Sequence, residues 1–146
     1  MKLMPGIIAT ALLLLCLSSC SRPPATEEFR RVDQSVNGLY SFPVDMSDSL
    51  SLYTISFYTK LVGKKTVSVP LQVLWISPSG KMYSESVNMT AGDRKGDRAV
   101  YRSDIVPKEY GLWTLGIGSL NDIPGFLGIG VICENKPIGD GTRQTP

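Results

Sequence analysis

Apolar and polar side chains alternate along several segments of the chain. Residues 52–61 place Tyr53, Ile55 and Phe57 on one face, with threonine, serine and lysine on the other. Residues 69–76 also alternate, although apolar side chains there occupy both faces. Because a period of two residues is typical of strands, both segments are predicted to be β-strands. No apolar stripe of helical spacing follows the N-terminal region.

Turn-forming residues separate these segments from further strands. Ser77-Pro78-Ser79-Gly80 has proline second and glycine fourth, as in a β-turn, so residues 69–87 are predicted to form a hairpin. The glycines of residues 125–130 are interpreted as allowing twist, a bulge or close backbone packing. Further strands are predicted at residues 40–44, 99–102, 112–117 and 126–134. About six to eight short strands predict an all-β fold, a single antiparallel β-sandwich of immunoglobulin-like or related type.

The N-terminal region has a different pattern. Lys2 precedes an apolar run over residues 7–17, which ends in Leu17-Ser18-Ser19-Cys20. The run is shorter than the ~20 residues of a membrane-spanning helix, and the order of charged, apolar and small residues is that of a secretory signal. With a cysteine directly after the small pair, it resembles a bacterial lipoprotein signal. This resemblance implies cleavage before Cys20 and acylation of Cys20, with palmitate among the expected chains.

Composition excludes several kinds of chemistry. The chain contains no histidine, so serine–histidine and cysteine–histidine nucleophiles and histidine metal sites are excluded. A formal charge of +2, which falls by one when Lys2 is removed, gives no reason to expect nucleic acid as a partner. Loss of Cys16 and acylation of Cys20 leave only Cys133, which lies in an apolar pattern and is predicted to be buried. We therefore predict no catalytic, cofactor-binding or metal-binding residues, no enzymatic activity and no small-molecule ligand.

Two acidic clusters and two tryptophans are the other candidates for a catalytic, metal-binding or sugar-binding role. Asp45 and Asp48 are interpreted as turn caps rather than a catalytic pair. The loop at residues 92–98 contains two acids, but also one lysine and two arginines, which a calcium site tolerates poorly. Trp75 and Trp113 lie on apolar strand faces. They are predicted to pack in the core against opposite sheets rather than to form a sugar-stacking platform.

The order of the motifs points to a known family. The motifs are the lipobox at Cys20, a strand at 52–61, the hairpin around Ser77-Pro78-Ser79-Gly80, a late strand beginning Tyr110-Gly111-Leu112-Trp113, and a glycine-rich last strand at 125–133. Over residues 40–135 this ordered set resembles the gliding-motility lipoproteins of the H type from Bacteroidota. The chain departs from that family after the late strand, where Ser119, Leu120 and Asn121 replace glutamine and arginine positions, and in its short loop at 92–98.

These observations predict four parts of the chain: a signal peptide at 1–19, a lipidated Cys20 with a flexible spacer at 20–36, a β-sandwich at 37–135 and a disordered tail at 136–146. The polar, proline-bearing start of the spacer would hold the sandwich away from the membrane. Ser21 is not the acidic residue of an inner-membrane retention signal. The outer membrane, on its periplasmic side, is therefore the predicted location, with the cell surface as the alternative.

The resemblance implies a non-enzymatic lipoprotein that supports a cell-envelope protein assembly, the gliding-motility or secretion apparatus. A surface glycan-binding or adhesin-type sandwich is the alternative function. The predicted partners are the membrane, through the lipid on Cys20, and envelope proteins of unknown identity. Protein contact is expected at an unpaired edge strand. Residues 40–44 are the candidate edge, because Pro43 cannot donate a hydrogen bond to a further strand.

Overall fold

A computed structural model describes residues 25–63, 67–91, 98–119 and 123–139. The signal peptide, Cys20, most of the loop at 92–98, Leu120, Asn121 and the end of the tail lie outside these residues. Within the described residues, one short 3-10 helix, Val32–Gln34, accompanies eight strands. The strands are β1 (Ala25–Arg31), β2 (Leu39–Met46), β3 (Ser51–Leu61), β4 (Val67–Ile76), β5 (Met82–Ala91), β6 (Ala99–Ile105), β7 (Gly111–Ser119) and β8 (Phe126–Pro137).

The strands form two antiparallel four-stranded sheets, which confirms the predicted all-β sandwich. Their orders are β1-β8-β3-β6 and β2-β7-β4-β5. Strand β2 shows strict alternation: Tyr40, Phe42, Val44 and Met46 are buried, and the residues between them are exposed. Both sheets contribute inward faces to one core. The largest fully buried side chains are Phe42, Phe57, Ile55, Leu115, Ile117, Ile129, Val44, Val69 and Val73.

The predicted hairpin is confirmed. Strands β4 and β5 pair from Val67↔Ala91 to Ile76↔Met82. The Gly80 N–H donates to the Ser77 carbonyl over 2.9 Å, and Gly80 has a φ of +86°, which a side chain rarely adopts. Leu74, an apolar residue on the outer face of β4, pairs with Gly116 of β7 and lies against it. The glycine has no side chain, so Leu74 covers the space beside it.

The prediction of a flexible spacer at residues 20–36 is wrong from Ala25 onward. Strand β1 pairs with β8 along its whole length, from Ala25↔Glu134 to Arg31↔Gly128. The side-chain pattern did not predict this strand, because the acidic and basic residues of β1 lie at a sheet edge and form hydrogen bonds along the surface. The Tyr58 hydroxyl donates to Glu27 over 2.7 Å, and Phe29 stacks on Tyr58 with ring centroids 5.9 Å apart. The sandwich therefore begins before residue 37.

The C-terminal boundary also differs from the prediction. Strand β8 extends to Pro137, and the Ile138 N–H donates to the Leu50 carbonyl over 2.8 Å. Residues 136–138, which were predicted to belong to the tail, are therefore part of the sandwich. The glycine-rich start of β8 packs closely, as predicted: a β-carbon on Gly128 or Gly130 would overlap neighbouring atoms, and the β3–β8 register shifts at Lys60 and Leu61.

Candidate functional site

The structure places the sequence-predicted polar residues in structural roles. Asp45 accepts a hydrogen bond from the Ser47 N–H, and Asp48 accepts from the Leu50 N–H and the Ser51 hydroxyl. These are turn caps, as predicted, and the hydrogen bonds from Ser51 and Leu50 lower the pKa of Asp48. Within the described ranges, no three histidine, cysteine, aspartate or glutamate side chains lie close enough together to hold a metal ion.

Cys133 is buried on β8, as predicted. Burial raises the pKa of its thiol to about 11, with smaller contributions from the negative charges of Asp45 and Glu134. A thiol that keeps its proton at neutral pH is a poor nucleophile. The part of the chain that the structure covers contains no helix of the length and apolar character needed to cross a bilayer.

Four of the described strands lie at the edges of the two sheets, and three of these four carry features that oppose further pairing. Strand β1 is charged along its length. Strand β6 shifts register twice against β3, and its Asp104 has a φ of +51°. Strand β2 is an edge, as predicted, but it contains Pro43, and its Ser41 carbonyl accepts a hydrogen bond from Arg30 over 3.1 Å. Charges, bulges and proline are the devices that protect sheet edges.

Strand β5 is the fourth edge, and of these devices it carries only one charged side chain, Glu85, which pairs with Arg102. It has ten residues without proline or lysine, and it pairs with β4 without a register shift. Its solvent-facing side chains are the uncharged Met82, Ser84, Ser86, Asn88 and Thr90. No other described strand pairs with its outer side. Strand β5 thus offers a long edge with an unshifted register, whose one charged side chain, Glu85, is already paired with Arg102.

The backbone groups that point outward from β5 can be assigned from the hairpin. Because the Ser77 N–H donates to the Lys81 carbonyl, these two residues form a hydrogen-bonded pair. Hydrogen-bonded and non-hydrogen-bonded pairs alternate along an antiparallel ladder. Ser84 and Ser86, three and five residues after Lys81, therefore belong to non-hydrogen-bonded pairs. Their N–H and C=O groups point away from β4 and are available to another strand.

A polar network joins β5 to β6 across the two sheets. The Trp75 indole N–H donates to the Tyr101 hydroxyl over 3.3 Å, and that hydroxyl donates to the Glu85 carboxylate. Arg102 Nη2 lies 2.8 and 2.9 Å from the two carboxylate oxygens of Glu85. The Tyr101 ring also stacks on Phe57 with centroids 4.7 Å apart. The network thus links the β5 and β6 edges through side chains.

An aromatic groove opens beside this network. It has a volume of about 330 Å³. Trp75 and Trp113 meet edge to face within it, with centroids 6.0 Å apart, and Tyr83 lies 6.2 Å from Trp113. The Lys108 ammonium group lies 5.0 Å from the centroid of the Tyr83 ring. The lining residues are Met46, Trp75, Tyr83, Ser84, Glu85, Arg102, Ile105, Val106, Pro107, Lys108 and Trp113.

The groove corrects the prediction for the two tryptophans. Trp75 and Trp113 lie on β4 and β7, which are neighbours in one sheet rather than members of opposite sheets. Trp113 is 5% exposed and its indole N–H donates to the Glu109 carbonyl, whereas Trp75 is only partly buried. The alternation of each strand indicated the inward face, but it could not indicate that the strands are adjacent.

The sequence pattern also did not indicate that β5 is an edge open to pairing, because it predicted β5 only as the second half of the hairpin. A signal was available in the run of serine, asparagine and threonine on the solvent face of a strand without lysine or proline. The described residues form a two-sheet antiparallel β-sandwich whose β5 edge, free of proline, lysine and register shifts, lies beside an aromatic groove. No protein-family model matches the chain, and no curated protein matches its sequence.

Proposed function

We propose that this chain is a non-enzymatic outer-membrane lipoprotein, anchored through Cys20, that supports a cell-envelope protein assembly by pairing its β5 edge with a partner strand. The observation that carries this proposal is the outer edge of β5, which has no proline, lysine or register shift and pairs with no other described strand. A strand added there gains main-chain hydrogen bonds without any rearrangement of the sandwich. The resemblance of the motif order makes the gliding-motility or secretion apparatus the proposed assembly.

The position of β5 relative to the proposed anchor supports this function. Cys20 precedes β1 by only a few residues, so the chain would lead from the anchor to the margin of the sandwich formed by β1 and β2. The hydrogen bond from Arg30 of β1 to the Ser41 carbonyl of β2 connects these two strands. Strand β5 lies at the other end of the β2-β7-β4-β5 sheet. An anchored domain would therefore present β5 on the side away from its tether.

A surface glycan-binding module is the second candidate function. The aromatic groove favours it, because tryptophan and tyrosine rings are common in carbohydrate sites. The open ring area is small, however, since Trp113 is buried and Lys108 lies over Tyr83. The protein-contact function is therefore preferred.

A proline substitution on β5 tests the proposed function. Ser86→Pro removes an N–H that points away from β4, so the ladder within the hairpin keeps its hydrogen bonds. Ser86→Ala is the matched control, because both variants lose the hydroxyl contact with Gln72 but only the proline variant loses the N–H. Each variant would be expressed as the full chain and crosslinked in intact cells, and the attached envelope proteins would be identified.

We expect Ser86→Ala to give the same crosslinked proteins as the unmodified chain and Ser86→Pro to lose them. Circular dichroism and the urea midpoint of unfolding would establish that the proline variant is folded. An unchanged set of crosslinked proteins for a folded Ser86→Pro chain would contradict the proposal that β5 is the contact edge.

A further inference from the structure

We propose that the aromatic groove receives one large apolar side chain from the strand that pairs with β5, and that Lys108 binds a carboxylate on the same face of that strand. This inference rests on the proposed function and specifies the chemistry of its partner. The occupant is an extended protein segment with an aromatic or long aliphatic residue, and an acidic residue two positions before or after it.

The position of the groove relative to β5 supports this assignment. A strand paired with β5 would lie about 4.8 Å outside it, and alternate side chains would point toward the other sheet. Tyr83, Ser84 and Glu85 of β5 line one side of the groove, and Ile105 at the end of β6 lines the other together with residues 106–108. An inward side chain at this register would therefore lie over the opening of the groove.

The size and lining of the groove favour an apolar side chain. Its volume of about 330 Å³ lies at the lower end of the range of ligand pockets, ~300–1,000 Å³. Trp75, Ile105 and Trp113 give the groove apolar walls. A single ring or aliphatic side chain can bury its surface there, whereas an oligosaccharide would extend beyond the groove.

The charges around the groove favour a carboxylate beside that side chain. Glu85, the acidic residue of the lining, already binds Arg102 and accepts a hydrogen bond from the Tyr101 hydroxyl. Lys108 forms no salt bridge with another described residue, and its ammonium group lies at the Tyr83 ring. The cation available to a partner at this margin is therefore Lys108, and an acidic residue on the incoming strand complements it.

Intrinsic fluorescence gives a direct measurement of binding. The chain has two tryptophans, and both line the groove. The probe is a synthetic peptide of alternating threonine and valine that carries one phenylalanine and an aspartate two residues away, in both orders. Phenylalanine does not absorb at the red edge of the tryptophan band, so peptide binding to the full chain in mild detergent can be followed without interference.

Two altered peptides separate the contributions of the phenylalanine and the aspartate to binding. Replacing the phenylalanine with alanine should weaken binding roughly ten- to hundredfold, because an apolar side chain then leaves the groove. Replacing the aspartate with lysine should weaken binding about two- to fivefold, as expected for an exposed ion pair. The lysine peptide should recover its affinity for a Lys108→Glu chain, while the aspartate peptide should lose affinity for that chain.

The outcomes distinguish this inference from the proposed function. Equal binding of the phenylalanine and alanine peptides, with binding lost in Ser86→Pro, would overturn the groove inference and leave the β5 edge standing. Binding that requires phenylalanine but is unchanged by Ser86→Pro would overturn the proposal that β5 is the contact edge. It would also overturn the inference that the side chain in the groove comes from a strand paired with β5. Saturable quenching of the tryptophan fluorescence by cellotriose, with no quenching by the peptides, would overturn both the groove inference and the β5-edge function in favour of a glycan site.

Discussion

Replacement of Gly128 by alanine should separate the C-terminal end of β1 from β8. A β-carbon on Gly128 would lie 2.5 Å from Phe29 Cζ and still closer to the Arg30 carbonyl oxygen. Real contacts of this kind are rarely shorter than 3.0 Å, so one strand has to move. Strand β8 is held on both sides by β1 and β3, whereas β1 is an edge. The less costly movement is therefore a separation of the end of β1.

The contacts that β1 would lose set the size of the effect. Phe29 stacks on Tyr58, which contributes about 0.5–1.5 kcal/mol. The Arg30 guanidinium lies 5.2 Å from the Phe42 ring centroid, a contact of ~0.5–1 kcal/mol. Each backbone hydrogen bond that opens costs about 1 kcal/mol. Gly128→Ala should therefore lower the free energy of unfolding by about 2–4 kcal/mol.

Urea unfolding and trypsin digestion measure the two consequences. With the urea dependence usual for small domains, the midpoint should fall by about 1–2 M. Trypsin should also cleave at Arg30 and Arg31, which are protected while β1 is paired. The control is Gly116→Ala, whose added β-carbon would lie 3.5 Å from Leu74 Cβ, an ordinary contact. If both variants unfold at the same urea concentration and β1 resists trypsin, the argument from close packing is wrong.

Elements with a regular side-chain pattern could be predicted from the sequence. The alternation in residues 52–61 and 112–117 corresponds to β3 and β7, and the Ser77–Gly80 turn identified the β4–β5 hairpin. In these elements the pattern is local, because one face of a strand is buried whichever strand lies beside it. The sequence therefore indicated the all-β class and the inward faces.

Features that depend on distant partners could not be predicted in this way. Strand β1 carries mostly polar side chains and owes its structure to β8, about a hundred residues later in the chain. The contact between Trp75 and Trp113 depends on the β4–β7 pairing, which the period of each strand does not specify. The aromatic groove likewise requires that β5 and the end of β6 lie at one margin, where register shifts displace β6 against β3.

Three further predictions test the anchor, the core and the buried thiol. Cys20→Ser should move the chain to the soluble fraction, and retention in membranes after a high-salt wash would place the anchor elsewhere. Trp113→Ala should cost about 3–5 kcal/mol in urea unfolding and more than Trp75→Ala, because Trp113 is the more buried; equal losses would contradict that difference. Burial raises the pKa of Cys133 from 9.0 to about 11, so above pH 9 the unfolded chain binds fewer protons than the folded one. The stability from this thiol is therefore fully present below pH 9 and is lost as the pH rises through 11. The urea midpoint should fall with pH in this window, and less steeply in Cys133→Ser. The same slope in both chains would show that the thiol is not the titrating group.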